Sequence, residues 1–235
     1  MASTPQFSDA IEAQHRRVDA DEWANIYVVG DVHGCLDELD ALLARLDPGD
    51  DELVVFVGDL IRKGPDNGGV VRRVREMPNL VTIRGNNEEK VIRGEKDPDG
   101  LDDSDVEWMR SLPVAISWEG ALVVHGGVDP RKPLSEHSVD DLQNTRSLVP
   151  GGSYDPPYWF EEYEGPERVF FGHTVLDSAV HREYAVGLDT GCVYGGKLTA
   201  IDCSRDALIS VDLGRTVQSR KDSKIVIPPR ATTEE

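Results

Sequence analysis

Ile26-Tyr27-Val28-Val29-Gly30-Asp31-Val32-His33-Gly34 begins as an apolar, β-branched run and ends on a glycine, a carboxylate, an imidazole and a second glycine. The same grammar returns downstream. Leu53–Val57 runs into Gly58-Asp59, and Leu80–Ile83 into Arg84-Gly85-Asn86. Ala121–Val124 runs into His125-Gly126-Gly127, and Val169–Phe171 into Gly172-His173-Thr174. Short apolar runs bounded by glycine or charge read as buried strands. Side chains at the carboxyl ends of neighbouring strands converge on one crevice. Glycine lets the backbone turn sharply there and approach a small ligand closely.

Outward from these runs, Leu36, Leu39, Leu43 and Leu46 have helical spacing, Val70–Met77 suggests a second helix, and Leu198–Ile201 and Ala207–Val211 suggest further strands. Alternating strand and helix in the first half predicts an α/β fold. The second half reads as strands with loops, including an irregular stretch over residues 129–166 rich in Pro, Gly and Tyr. Residues 1–23 read as a polar tail, 24–214 as one domain and 215–235 as a second tail, with Ile225–Ile227 able to add an edge strand. There is no internal repeat or linker within the domain.

The 235 residues suffice for one sizeable core and carry a formal net charge of -19. That charge argues against a nucleic-acid polymer or an anionic membrane as partner, because both are bound through basic patches. Acidic residues are spread along the chain and Arg outnumbers Lys. Dense carboxylates stay hydrated where salt screens their repulsion, so the pattern suggests a high-salt cytoplasm. Cys35, Cys192 and Cys203 form an odd set without disulfide or zinc spacing, which suggests a reducing compartment. No apolar signal core or membrane-length run is present.

Each short motif is weak alone. Gly-Asp is a common turn dipeptide, and a lone histidine is more often a hydrogen-bonded core or surface residue than a ligand. Five such segments in one chain change that balance. Carboxylate, imidazole and amide oxygen are donors suited to Mn, Fe, Zn, Ni or Co.

The blocks GDVHG, GDLIRKGPDN, RGNNE, VVHGGVDPRKPL, VFFGHT and LDTGCVYGGKLTAI, between Ile26 and Asp202, resemble the calcineurin-like metallophosphoesterases. Within that superfamily the likeness is to the branch of bacterial diadenosine tetraphosphatases and PPP-type serine/threonine phosphatases. The resemblance implies a four-layer α/β/β/α sandwich and two divalent metal ions, with manganese first among the candidates. By motif, Asp31, His33 and Asp59 would hold one ion, and Asp59, Asn86, His125 and His173 the other. A hydroxide shared by the ions would attack phosphorus in line, on a dinucleoside polyphosphate or a phosphoprotein. Lys63 stands where the family places a phosphate-binding Arg, and Arg146 in NTRSL is a second candidate clamp.

Two positions depart from the pattern. The family's G-N-H-[DE] is here Gly85-Asn86-Asn87-Glu88, and the carboxylate that orients its acid His is replaced by Arg62. Asn87 cannot exchange a proton, so a general-acid contribution of ~10² to 10⁴-fold is missing unless another group supplies it. That favours stable leaving groups, such as nucleotide phosphates, over serine alkoxide. Alternatives are a phosphodiesterase acting on activated diesters and a non-catalytic protein that binds metal and phosphate. His15, His137 and His181 are replacement acids outside the blocks, and Asp189-Thr190-Gly191 reads as a turn near the site. Tyr154, Tyr158, Trp159 and Phe160 read as an aromatic loop packed on its own core.

Overall fold

In the computed structural model, which describes residues 5–228, the strands in chain order are β1 (His15–Arg17), β2 (Asn25–Val29), β3 (Glu52–Phe56), β4 (Leu80–Thr82), β5 (Ala115–Trp118), β6 (Ala121–Val124), β7 (Arg168–Phe171), β8 (Val180–His181), β9 (Ala185–Gly187), β10 (Leu198–Asp202) and β11 (Ala207–Val211). They form two sheets, ordered β11-β10-β2-β3-β4 and β1-β5-β6-β7-β9-β8. β2, β3 and β4 are parallel in the first sheet, as are β6, β7 and β9 in the second. The helices are α1 (Asp9–Glu12), α2 (Leu36–Leu46), α3 (Asn67–Glu76), α4 (Asn86–Ile92), α5 (Asp103–Ser111), α6 (Val139–Asn144) and α7 (Trp159–Glu162).

Strand alternation sorts the side chains into three cores. Ile26, Val28, Leu53 and Val55 face Ile116, Val123, Phe170 and Val186 between the sheets. Tyr27, Val29, Val54 and Phe56 point the other way, onto Leu39, Leu42 and Leu46 of α2 and Val70 and Val74 of α3. On the far sheet, Leu122, Val124, Val169 and Phe171 meet Ile11 of α1, Leu142 of α6 and Trp159 of α7. The result is helices, sheet, sheet, helices in one domain, the expected four-layer arrangement.

Local chemistry fixes the helix ends. α2 stops where Asp47 takes a left-handed φ of 46° and Pro48 follows. α3 starts on Asp66, whose carboxylate accepts from the Gly69 N–H at 2.7 Å. Leu39 is fully buried, and truncating such a leucine to alanine costs about 2 to 5 kcal/mol.

Both segments read as tails lie against the domain over the described residues. Residues 15–17 pair in parallel with β5, and Ile11 is buried. At the other end, Val217 and Gln218 donate their N–H groups to the Val193 carbonyl, and Val226 is buried beside Leu176. Residues 1–4 and 229–235 lie outside the described residues.

Candidate metal centre

The strand-end residues meet where the two sheets meet. Asp31 follows β2, Asp59 follows β3, and Asn86 opens α4 just past β4. His125 follows β6 and His173 follows β7, so the second sheet supplies both. Asp31, His33, Asp59, Asn86 and His125 are buried, and His173 is half-buried. His125 Nε2 lies 3.2 Å from Asp59 Oδ1. His33 Nε2 lies 3.7 Å from both Asp31 Oδ2 and Asp59 Oδ2. The Asn86 amide donates to His173 Nδ1 at 3.2 Å, and the rings of His125 and His173 are 5.2 Å apart.

The backbone accepts strain to bring these groups together. His33, Asp59 and His173 have φ values of 53°, 53° and 63°, the left-handed region that non-glycine residues avoid. Asp31, Asp59, Asn86 and His173 each follow a glycine, and for two of these glycines the steric cause is plain: a Cβ on Gly172 would lie 1.9 Å from Asp31 Oδ1. On Gly85 it would lie 2.4 Å from Asp59 Oδ1. The glycines are what allow carboxylates from one strand end to abut the backbone of the next.

Hydrogen bonds aim the donors. His33 Nδ1 lies 3.2 Å from the Ile61 carbonyl and His125 Nδ1 lies 2.8 Å from that of Val57. An N–H at each Nδ1 leaves the Nε2 lone pair facing the carboxylates, as metal-ligating histidines require. Asn86 donates its amide N–H to Asn144 Oδ1 at 2.9 Å as well as to His173, which turns its carbonyl oxygen toward Asn87. Asp31 accepts the His173 N–H, so the two sheets are joined at the site itself.

The donor chemistry fits a divalent ion. Ligand atoms of Asp31, Asp59 and His125 all lie within 4.8 Å of one another. His125 Nε2 is buried, and its short contact with Asp59 lacks hydrogen-bond alignment, so that nitrogen has no partner. The electrostatics press the same way. Burial raises Asp31 well above the usual carboxylate range, and Asp189 adds to it. Burial would depress the His125 ring, but Asp59 outweighs it and lifts the ring to about 9. Burial, and then the Lys63 ammonium, hold His33 at about 3. The carboxylates draw positive charge toward the cluster, a setting that suits a divalent cation.

Lys63 is part of the cluster, its ammonium 2.6 Å from His33 Nε2 and 5.5 Å from the Tyr194 ring. Arg146 reaches it as well, donating to the His173 carbonyl at 3.3 Å. Asn87 is buried between two charges: its amide N–H donates to Asp59 Oδ2 and its carbonyl accepts from the Arg62 guanidinium. His15, His137 and His181 are engaged elsewhere, with Ser117, with the Asp129 N–H and with Asp206.

The sequence reading left out several contributors. Glu88, fully buried, accepts the N–H groups of Asp59, Ile61 and Gly85 and so ties two ligand loops together. Burial, with Asp59 nearby, raises it to about 7. Asn144 stands two residues before Arg146 in a stretch already singled out, and that proximity was its signal. Arg220 reaches Tyr154 and Tyr194 from a segment with no motif, so nothing in the sequence pointed to it. Trp159 does pack on its own core, with its indole N–H on the Gly126 carbonyl at 3.0 Å, whereas Tyr154 lies under the Arg146 guanidinium.

The calcineurin-like phosphoesterase family model matches residues 24–200. An asymmetrical bis(5'-nucleosyl)-tetraphosphatase of Oceanobacillus iheyensis is 28% identical over 79% of this chain and 91% of its own length. Serine/threonine-protein phosphatase 1 of Salmonella typhimurium is 28% identical over 80% of this chain and 96% of its own. Among solved structures, a provisionally assigned diadenosine tetraphosphatase superposes with a TM-score of 0.74 at 27% identity, covering 85% of this chain and 97% of that one.

Proposed function

The chain belongs to the calcineurin-like phosphoesterase family, and from that premise we propose that it hydrolyses dinucleoside polyphosphates, with Asp31, His33, Asp59, Asn86, His125 and His173 holding its metals. The family's two divalent ions, when bound, lower the pKa of a water and neutralise charge on the phosphoryl oxygens. Manganese suits this oxygen and nitrogen donor set, with iron, zinc, nickel and cobalt as alternatives. The chain's own residues do the rest. Asp59 faces both His33 and His125, which supports its reading as a residue that would serve both ions. Lys63 and Arg146 carry charge to the transferred phosphoryl group, and the Asn87 amide fixes the orientation of the Asp59 carboxylate.

One observation carries the choice of substrate: the hydrogen-bonded series Arg62 to Asn87 to Asp59. A cation and an amide stand where the family resemblance places a carboxylate and an acid histidine. An amide cannot protonate a departing alkoxide, and a guanidinium favours a leaving group that carries negative charge. A nucleotide leaves as such an anion and needs no proton. The experiment is a panel of diadenosine tetraphosphate, phosphoserine peptide, aryl phosphate and aryl diester with Mn²⁺, Ni²⁺, Co²⁺, Zn²⁺ and Mg²⁺, with Asp59→Asn as control. The reading requires turnover of the dinucleotide to exceed that of the phosphopeptide. The reverse order would favour a phosphoprotein phosphatase, the activity named for the Salmonella relative. A faster diester would favour a phosphodiesterase, and no turnover above the control a binding protein.

We also place the protein in a reducing, salt-rich cytoplasm. The cysteines are free, with Cys35 and Cys192 buried, and the chain carries a charge of -19. No helix among the described residues is long and apolar enough to cross a membrane.

A further inference from the structure

On a chain with a surplus of carboxylates, cations without one stand out. Arg73, Arg75, Arg84, Arg131, Arg168 and Arg215 each lie on an Asp or Glu side chain. Arg146 and Arg220, like Arg45 and Arg62, have no carboxylate hydrogen-bond partner among the described residues; theirs are carbonyls and a phenol. Arg146 donates to the His173 carbonyl at 3.3 Å and the Ser153 carbonyl at 3.4 Å, and its Nε is buried without a partner. Arg220 donates through Nε to the Lys224 carbonyl and through Nη2 to the Tyr154 hydroxyl, both at 2.8 Å.

The two guanidiniums share one support. Arg146 lies 4.3 Å and Arg220 5.8 Å from the centre of the Tyr154 ring. Arg220 also lies 4.7 Å from the Tyr194 ring, over which the Lys63 ammonium sits at 5.5 Å. Burial lowers the Arg146 pKa, and the charge on Arg220 lowers it further, so the two cations feel one another. The buried Asp189 carboxylate acts on Arg146, and both Arg220 and Lys63 act on it, so three cations share one anion; the excess like charge repels, and the ring faces relieve only part of that. Arg220 is also held in place. Its segment is fastened on one side by Val217 and Gln218 to the Val193 carbonyl, and on the other by Val226 to the Val175 carbonyl at 2.8 Å.

We propose that Arg220, held beside Arg146 and supported by Tyr154 and Tyr194, forms a second phosphate subsite that takes the non-reacting phosphates of a nucleoside polyphosphate. The inference rests on the phosphohydrolase reading above and extends it outward from the metal ligands, since Arg146 is bonded to the backbone of His173. A phosphoserine side chain brings one phosphate, which Lys63 and Arg146 meet, and offers Arg220 none. A polyphosphate carries further charges in line with the reacting one. Aromatic stacking of a base is the weaker claim here, because guanidiniums already cover the tyrosine rings.

The test compares wild type, Arg220→Ala, Arg220→Lys and Tyr154→Phe as full chains with Mn²⁺, after thermal melts establish that each is folded. Affinity for a methylene-bridged, non-hydrolysable analogue of ADP is measured beside affinity for inorganic phosphate. Loss of charged hydrogen bonds should weaken the analogue by roughly tenfold or more in Arg220→Ala, with a smaller loss for phosphate. Arg220→Lys should recover part of it, and Tyr154→Phe, which keeps the charge but frees it from its hydroxyl, should fall between. Turnover should agree: selectivity for diadenosine tetraphosphate over aryl phosphate should drop through KM. Unchanged analogue affinity in Arg220→Ala, or an equal loss for analogue and phosphate, overturns the subsite. A wild-type enzyme inert toward the dinucleotide would instead refute the substrate reading, while the binding measurements still decide the subsite.

Discussion

Asn87 bonds to Asp59 through its amide nitrogen and to Arg62 through its carbonyl, so a single side chain separates a candidate metal ligand from a fixed positive charge. Restoring an acid by Asn87→His combined with Arg62→Asp should raise phosphoserine-peptide turnover by about tenfold or more, and add an alkaline descending limb to the pH profile. Rates measured from about pH 5 to 9 on both proteins check this, and a flat comparison would mean that proton donation is not what limits ester cleavage. Gly172 gives a second expectation. A methyl group there would meet Asp31 Oδ1 at 1.9 Å, a carboxylate locked by the His173 N–H. Gly172→Ala should therefore cost about 1 to 3 kcal/mol in urea unfolding, and it should weaken metal binding because the displaced group is a candidate ligand.

At the scale of elements, α6 links stability to the site. It is only residues 139–144, yet Gln143 reaches the Arg84 carbonyl and Asn144 receives the Asn86 amide. Its start is a capping box: Asp141 accepts from the Ser138 N–H and hydroxyl and from Lys132, while Ser138 caps the Asp141 N–H. Burial alone would raise the Asp141 carboxyl, but these donors win and bring it down to about 2. A depressed carboxylate stabilises the fold above its unfolded pKa near 4 and loses that contribution as pH falls through about 2. Asp141→Asn should thus cost about 0.5 to 1 kcal/mol at neutral pH, discounted for partial exposure, with the gap closing between about pH 4 and 2 in unfolding titrations. Elements like this one also mark the limit of what the sequence makes legible. The buried runs ending at Val29, Phe56 and Val124 are recognisable as strands because apolar burial on both faces writes itself into composition. His15–Arg17 is charged and half-exposed, and only pairing with β5 makes it a strand. β8, of two residues, carries no periodicity at all. The same division holds at the centre: the candidate ligands follow readable strands, whereas Glu88 and Arg220 act through contacts with residues distant in sequence.

The whole molecule carries a charge of -19, and its ion pairs lie largely at the surface. Screening should relieve the net repulsion more than it weakens those few pairs, so the unfolding midpoint should rise between low and molar KCl, with NaCl giving the same trend. A midpoint independent of salt would remove the case for a salt-rich setting. The distribution of the site over both sheets has a consequence for how the protein comes into being. Asp31, His33, Asp59 and Asn86 are translated first, His125 and His173 later, and Arg220 after them. A ribosome therefore releases the candidate ligands of the first sheet before the two histidines of the second, and a nascent chain cannot assemble the whole centre until His173 has emerged. Arg220, to which we assign the choice of a polyphosphate over a single phosphate, emerges later still.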